Sequence, residues 1–305
     1  MENVARIENH WPKITIAILS WNRLHYLKAT LESAKECIQY PDIEWIVSDN
    51  ESIEPGLRGY IEGLDWIDKK IFKTQSHAEA MNEMVELAKG KYILIWPEDV
   101  QFTVRGDWMK DVVEVMENND FIGSMCLDYM RKVTVENVFN SKLRHFRRKL
   151  LDELRRYGIR FRKRKEITSS RGFKIFTFGW MKQGVCGSGI PSLTRTSVWK
   201  ELGPWRVCGS REQVGLIDSS LGAEDDMVHR FYEWKVPLQG AIPLIPVAAD
   251  IITDPTGCKA KVRGGYRYGV YMPPPDGLYY YKIKSLEELK KSNPTLPLNF
   301  TEAVE

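Results

Sequence analysis

The sequence predicts an α/β fold, a mostly parallel central sheet flanked on both faces by helices. Three observations lead there. Short β-branched apolar runs alternate with amphipathic helical stretches through the first hundred residues. The runs are apolar almost throughout rather than alternating, as in strands buried on both faces. Several end abruptly in polar residues, and ligands of open parallel sheets bind beyond the carboxyl ends of the strands.

Ile14–Ser20 (ITIAILS) reads as the first buried strand, and the next stretch places Leu24, Leu27, Leu31, Ala34 and Ile38 on one helical face. Residues 43–48 (IEWIVS) form a second strand running into Asp49-Asn50. A short helix around 55–63, a strand near 66–72 and a helix over 77–89 follow, the last with Ala78, Met81, Met84, Val85 and Ala88 inward. Residues 91–96 (KYILIW) are another buried strand, ended by Pro97. The second half is less regular. It offers a strand near 121–127, a Gly-rich stretch at 184–189 (GVCGSG), a helix from Thr196 and another opening at Asp225 with Met227, Phe231 and Trp234 apolar. Residues 241–252 (AIPLIPVAADII) read as a strand interrupted by prolines, and a Gly-, Pro- and Tyr-rich tail from Asp254 holds one helix at 285–291. No internal repeat or long linker is visible.

The 305 residues and 43% apolar content suit one large domain or two small ones. The thirteen Tyr and ten Trp either line a cleft or pack ordinarily. Net charge is +3, but residues 1–110 carry 13 basic and 18 acidic side chains, so the positive surplus lies further on. It is concentrated in 141–171, which holds 13 basic and 3 acidic side chains. Five cysteines, widely spaced and without C-x-x-C, argue against a zinc site or disulfide framework and for a reducing compartment. The polar, acidic N-terminus shows no secretory signal, and no apolar run approaches the roughly 20 residues of a membrane span. The expectation is a cytoplasmic protein, soluble or peripheral to the inner face of a membrane.

Three acidic groupings point to chemistry. Glu98-Asp99 follows a buried strand directly, where two like charges favour either a bound cation or full solvation in a turn after Pro97. Mg²⁺ and Mn²⁺ take such oxygen ligands together with substrate phosphates. Asp49 ends another strand and can accept from a nucleobase imide or a ribose hydroxyl, or else form an Asx turn with Asn50. Glu224-Asp225-Asp226 precedes a helix, where acids complement the macrodipole, yet three in a row suit a general base or metal ligand.

Taken in order, these segments resemble glycosyltransferase family 2. Residues 14–36 look like its first strand, turn and helix, 43–52 like the strand ending in the nucleobase-binding Asp, and 76–102 like the strand bearing its Asp-x-Asp motif. Residues 187–205 (GSGIPSLTRTSVWKELGPW) resemble its Gly-rich acceptor-side segment, and 223–238 its Glu-Asp motif with Arg230 four residues after Asp226. The resemblance covers roughly 14–250. It implies a GT-A fold in one catalytic domain over 1–255, with a Rossmann-like nucleotide-sugar-binding half at 1–110. The acceptor half would be 111–255, with the basic insertion 141–171 inside it, and 256–305 would be a C-terminal extension.

The implied reaction is inverting transfer from a nucleoside-diphosphate sugar, a UDP-sugar by the family's habit, to a hydroxyl of a glycan or lipid-linked acceptor in polysaccharide biosynthesis. Ser20, Asn22, Asp49, Asn50, Asn82 and Glu98 would contact the donor. Gly187, Ser188, Gly189 and Asp226 would face the acceptor. Asp99, with Glu98 and Asp250, would hold Mn²⁺ or Mg²⁺, and Asp225 would be the base, Glu224 being the alternative register. The chain departs from the pattern at Pro97, which replaces the first acid of Asp-x-Asp, and in having no His beyond His229, where Asp250 stands instead.

The basic segment has three readings: a helix on an anionic membrane, a site for phosphate-rich glycan or the donor pyrophosphate, and a solvated insertion or oligomer contact. No nucleic-acid motif accompanies it, and oligomeric state stays open. The competing activities are a retaining transferase, a nucleotidyltransferase and a non-catalytic sugar-nucleotide or glycan binder. SWNRLHYL (20–27) lacks the Gly-rich, Arg- and Lys-bearing loop of nucleotidyltransferases, and no P-loop or G-x-S-x-G elbow occurs. His25, His77 and His229 sit in helical patterns and read as packing or surface residues.

Overall fold

The computed structural model describes residues 11–98, 100–102, 105–127, 166–178, 192–206, 227, 239–243 and 248–250. The strands are β1 (Ile14–Ser20), β2 (Ile43–Asp49), β3 (Lys69–Phe72), β4 (Tyr92–Pro97), β5 (Val100–Phe102), β6 (Ile122–Cys126), β7 (Glu166–Thr168), β8 (Lys174–Phe178), β9 (Ser192–Arg195), β10 (Gln239–Pro243) and β11 (Ala248–Asp250). The helices are α1 (Leu24–Cys37), α2 (Leu57–Glu62), α3 (His77–Leu87), α4 (Trp108–Glu117) and α5 (Thr196–Leu202). Nine strands form one sheet in the order β3-β2-β1-β4-β9-β6-β10-β8-β7, and β11 pairs with β5 in a second. β3, β2, β1 and β4 run parallel, while β9 lies antiparallel to both β4 and β6. The mixed α/β architecture therefore agrees with the expected one.

Every residue of β1 is buried. Its even positions, Ile14, Ile16 and Ile18, belong to a core with Leu27, Leu31 and Ala34 of α1, Leu57 and Ile61 of α2, and Val112 and Met116 of α4. Its odd positions, Ala17 and Leu19, face a second core with Met81 and Met84 of α3 and Val198 and Trp199 of α5. The period of two thus divides the strand between two helical layers, and continuous hydrophobicity follows. Helix α3 begins with a reciprocal cap. The Glu79 amide donates to Ser76 Oγ (3.2 Å), and the Ser76 amide donates to Glu79 Oε2 (2.7 Å). Gly90 lies where β4 approaches β1, and a Cβ there would stand 2.5 Å from the Thr15 nitrogen. Edge strand β3 presents Lys69 and Lys70, charges that discourage edge-to-edge pairing.

Several elements differ from the sequence reading. The strand expected over 66–72 starts only at Lys69, because Asp68 Oδ2 turns back to accept from the Trp45 amide at 2.7 Å. Helix α4 and strands β5, β7, β8 and β9 were not anticipated. The stretch read as one strand over 241–252 divides into β10 and β11, which belong to different sheets. The described end of the basic segment is structural: Arg171 pairs with Asp107 and Asp111, and Ser170 with Glu114, so that the 169–171 turn is bound to α4. The rest of that segment, 141–165, lies outside the described residues. No described helix is long and apolar enough to cross a membrane.

Glu44 ties β2 to β1, to β3 and to the turn after α3. Its carboxylate accepts from Thr15 Oγ1 (2.7 Å), the Lys89 amide (2.8 Å) and Lys69 Nζ (3.1 Å). Burial pushes its pKa up, but those hydrogen bonds prevail and hold it below the ordinary value. Such a carboxylate stabilises the fold above its unfolded pKa, about 4.3, and loses that contribution as pH falls through the folded value. Glu44→Ala is expected to remove about 2–3 kcal/mol at neutral pH. Glu44→Gln should flatten the stability loss on acidification, and denaturant melts at neutral and acidic pH check both.

Candidate functional site

The strand order reverses direction between β1 and β4: the chain builds outward from β1 through β2 to β3, then returns to β1's other side with β4. Loops leaving such neighbours diverge and open a crevice at the carboxyl end of the sheet. Ser20 pairs in register with Asp49, and Asp49 with Phe72, so the three lie in one row at that edge. Leu19 pairs with Pro97, which brings Glu98 level with Ser20.

Two backbone positions here are left-handed without being glycine, Asn22 (φ 50°) and Glu51 (φ 44°). Strain of this kind persists only where the surroundings over-determine it. Asn22 Oδ1 accepts from the amides of Ile53 (2.8 Å) and Glu54 (3.2 Å), and the Asn22 amide donates to Ser52 Oγ at 2.8 Å. Ser52 in turn donates its amide to Asp49 Oδ2 (2.8 Å) and its hydroxyl to Asp49 Oδ1 (2.5 Å). The Asn50 amide donates to the Ser20 carbonyl at 3.0 Å, and Asn50 Oδ1 accepts from the Gln75 amide at 2.8 Å. Asp49 therefore holds the loop after β2 through Ser52, three residues on, which organises the carboxylate and leaves each of its oxygens a second lone pair. Glu54 Oε2 receives the Leu24 amide (2.8 Å), supplying α1 with the N-terminal anion its own first turn lacks.

The Ser20 hydroxyl stands apart within this network. The residue is 3% exposed, lies beside Asp49 and has no hydrogen-bond partner for its hydroxyl among the described residues. Buried polar atoms are nearly always satisfied, so an orphan hydroxyl at a sheet edge is open to a water or a ligand's polar group. Ser20→Ala is expected to leave the ligand-free melting temperature equal or higher, because the orphan is removed. It should also weaken nucleoside binding about tenfold, the worth of one hydrogen bond. Paired melting and titration measurements check it.

Glu98 closes the other side. Its Oε1 accepts from Arg23 Nε and Nη2, both at 2.6 Å, and from the Trp21 amide at 3.3 Å. Thr30 Oγ1 donates to the Glu98 carbonyl at 2.5 Å. The structure thus gathers Ser20, Asn22, Asp49, Asn50 and Glu98 at one edge. It gives Asn82 a different task. The Asn82 amide donates to the Trp205 carbonyl (2.9 Å) and accepts from the Trp205 amide (2.7 Å), tying α3 to the chain beyond α5. Asp250 pairs across the ladder with Val100, the residue after Asp99. Asp99, Gly187, Ser188, Gly189, Glu224, Asp225 and Asp226 lie outside the described residues. Met227, immediately after the acidic run, is fully buried in the core that also holds Leu19 and Ile95. Sequence reasoning missed Arg23, Ser52 and Glu54. Their only signal was their place in the polar strand-end loops.

A divalent cation asks for hard oxygen ligands. Among the described residues no group of three His, Cys, Asp or Glu side chains could hold one. Register places Asp250 opposite Val100 across the β5–β11 ladder, and Asp99, which precedes Val100 in the sequence, lies outside the described residues.

The family described as glycosyl transferase family 2 matches residues 15–187. No curated protein matches the chain. Among solved structures, the chain is similar to the mannosyltransferase PcManGT from Pyrobaculum calidifontis in complex with GDP-Man and Mn²⁺. The identity is 21% and the TM-score 0.34, over 40% of this chain and 37% of that one. It is also similar to S. aureus TarS 1-349 in complex with UDP-GlcNAc (12% identity, TM-score 0.42, 76% of this chain and 55% of that one). A third is GalNAc-T7 with UDP, GalNAc and Mn²⁺ (11%, TM-score 0.46, 78% and 43%). The chain thus spans between 37% and 55% of the length of these relatives.

Proposed function

The chain belongs to glycosyl transferase family 2, and from that premise we propose that it moves a sugar from a nucleoside-diphosphate donor to an acceptor hydroxyl with inversion. The observation that carries this reading is the orphaned, buried Ser20 hydroxyl beside Asp49 at the switch point of the parallel sheet. Donor and acceptor groups there suit the edge of a nucleobase and its ribose. The loop network through Asn22, Ser52 and Asn50 preorganises them.

Asp99 and Asp250 would hold Mn²⁺ or Mg²⁺ at the end of β4. When bound, such a cation supplies Lewis-acid stabilisation to the diphosphate leaving group. Asp225 would take the proton of the acceptor hydroxyl as its oxygen attacks the anomeric carbon, one in-line displacement inverting that centre. Chain geometry supports an acid within reach. Three residues span no more than about 11 Å, and Met227 is buried in the core cluster that also holds Leu19 and Ile95. Gly187–Ser188–Gly189 and Asp226 would border the acceptor, a glycan or lipid-linked sugar.

The deciding experiment is a thermal-shift screen of UDP-, GDP-, CDP- and TDP-sugars with Mn²⁺ and with Mg²⁺. Ligand linkage should raise the melting temperature for the true donor by several degrees at saturating concentration, and more with the metal than with EDTA. No shift with any donor would remove the reading.

A further inference from the structure

We infer that Glu98, despite its place beside Asp99, is a positioning residue for nucleoside recognition rather than a metal ligand. It acts through Arg23. The inference rests on the proposed donor site at this sheet edge.

The geometry begins with burial. The Glu98 side chain is 2% exposed, and a buried carboxylate needs a compensating charge and hydrogen bonds. Arg23 meets that need with two guanidinium nitrogens on one oxygen, a charge-assisted and directional contact. The Trp21 amide adds a third donor to the same oxygen, so Glu98 grips the β1–α1 turn on both sides of Asn22. The Thr30 hydroxyl ties the Glu98 main chain to α1. From the opposite side Asn22 is held by Ser52, Ile53 and Glu54, and Ser52 also sets the Asp49 carboxylate.

The left-handed Asn22 therefore stands between two clamps, and Ser20 lies two residues before it. Coordinating a cation through the same oxygen would set the metal against the Arg23 guanidinium and release the turn. Removing Glu98 should instead free the turn, relax Asn22 and blur the alignment of Ser20 with Asp49. The metal-binding contribution proposed for Asp99 and Asp250 should survive.

The test uses the full chain and calorimetric titration with uridine, guanosine, cytidine and adenosine and their diphosphates, each with Mn²⁺ and with EDTA. For the nucleoside that the unmodified chain binds, Glu98→Gln and Arg23→Gln should each weaken affinity about tenfold in EDTA, the scale of a lost orientation. The factor by which Mn²⁺ tightens the diphosphate should stay within about twofold. The double variant should be no weaker than either single one, since one clamp is being broken twice. Arg23→Lys, which keeps the charge but loses the fork, should fall between and serves if either amide variant fails to fold. Unchanged nucleoside affinity, or loss of the Mn²⁺ factor in Glu98→Gln, would overturn the inference. Failure of the unmodified chain to bind any of the eight probes would instead overturn the donor reading, and this inference with it.

Discussion

Asp225→Asn is expected to bind the nucleotide sugar as tightly as the unmodified chain and to turn it over about 10²–10⁴ times more slowly. The amide keeps the size and hydrogen-bonding shape of the carboxylate but cannot accept the acceptor's proton. A base acts only as the hydroxyl attacks, so its removal should appear in kcat while donor affinity stays unchanged. The residue lies two positions before buried Met227, whose anchoring should keep the substitution from disturbing the sheet. Donor titration beside initial-rate measurement separates the two quantities. Full turnover in this variant would move the base to Glu224, and Glu224→Gln is the companion measurement. If both variants retain turnover, the inverting scheme fails.

Asp99→Ala should show the complementary pattern, losing the Mn²⁺-dependent part of diphosphate binding and about 10³-fold in kcat/KM. That figure corresponds to about 4 kcal/mol, within the several kcal/mol a Lewis acid contributes at a departing diphosphate. The nucleoside alone should still bind, because Ser20 and Asp49 sit on β1 and β2 and do not depend on the metal. Mn²⁺ titration in the presence of UDP, followed by calorimetry, measures the loss. Asp250→Ala should follow Asp99→Ala, since both are proposed to hold the same cation. Equal Mn²⁺ affinity in all three chains would place the metal elsewhere.

Much of this site was legible before the structure. Ser20, Asn22, Asp49, Asn50 and Glu98 are named by one rule, that ligands of a parallel sheet bind beyond its strand ends, and the fold places them at one edge of the sheet. What was not legible was how they are used. Glu98 reads in sequence as half of an acidic pair seeking a cation, and in the fold it is joined to Arg23, 75 positions earlier. Asn82 reads as a donor contact, yet its amide binds the backbone of Trp205, 123 positions away. The N-terminal anion of α1 comes from Glu54, which no local capping pattern announces.

The amino-acid sequence by itself determined the α/β class, the central strands, the family and the edge where chemistry would gather. Each follows from periodicities and turn residues that act within a few positions of one another. Only the tertiary structure decided which polar side chains are committed to the scaffold and which, like the Ser20 hydroxyl, have no partner among the described residues. A buried charge or amide must find a partner, and chain folding selects that partner from residues far apart in sequence. Local pattern therefore names the groups, and long-range packing assigns their work.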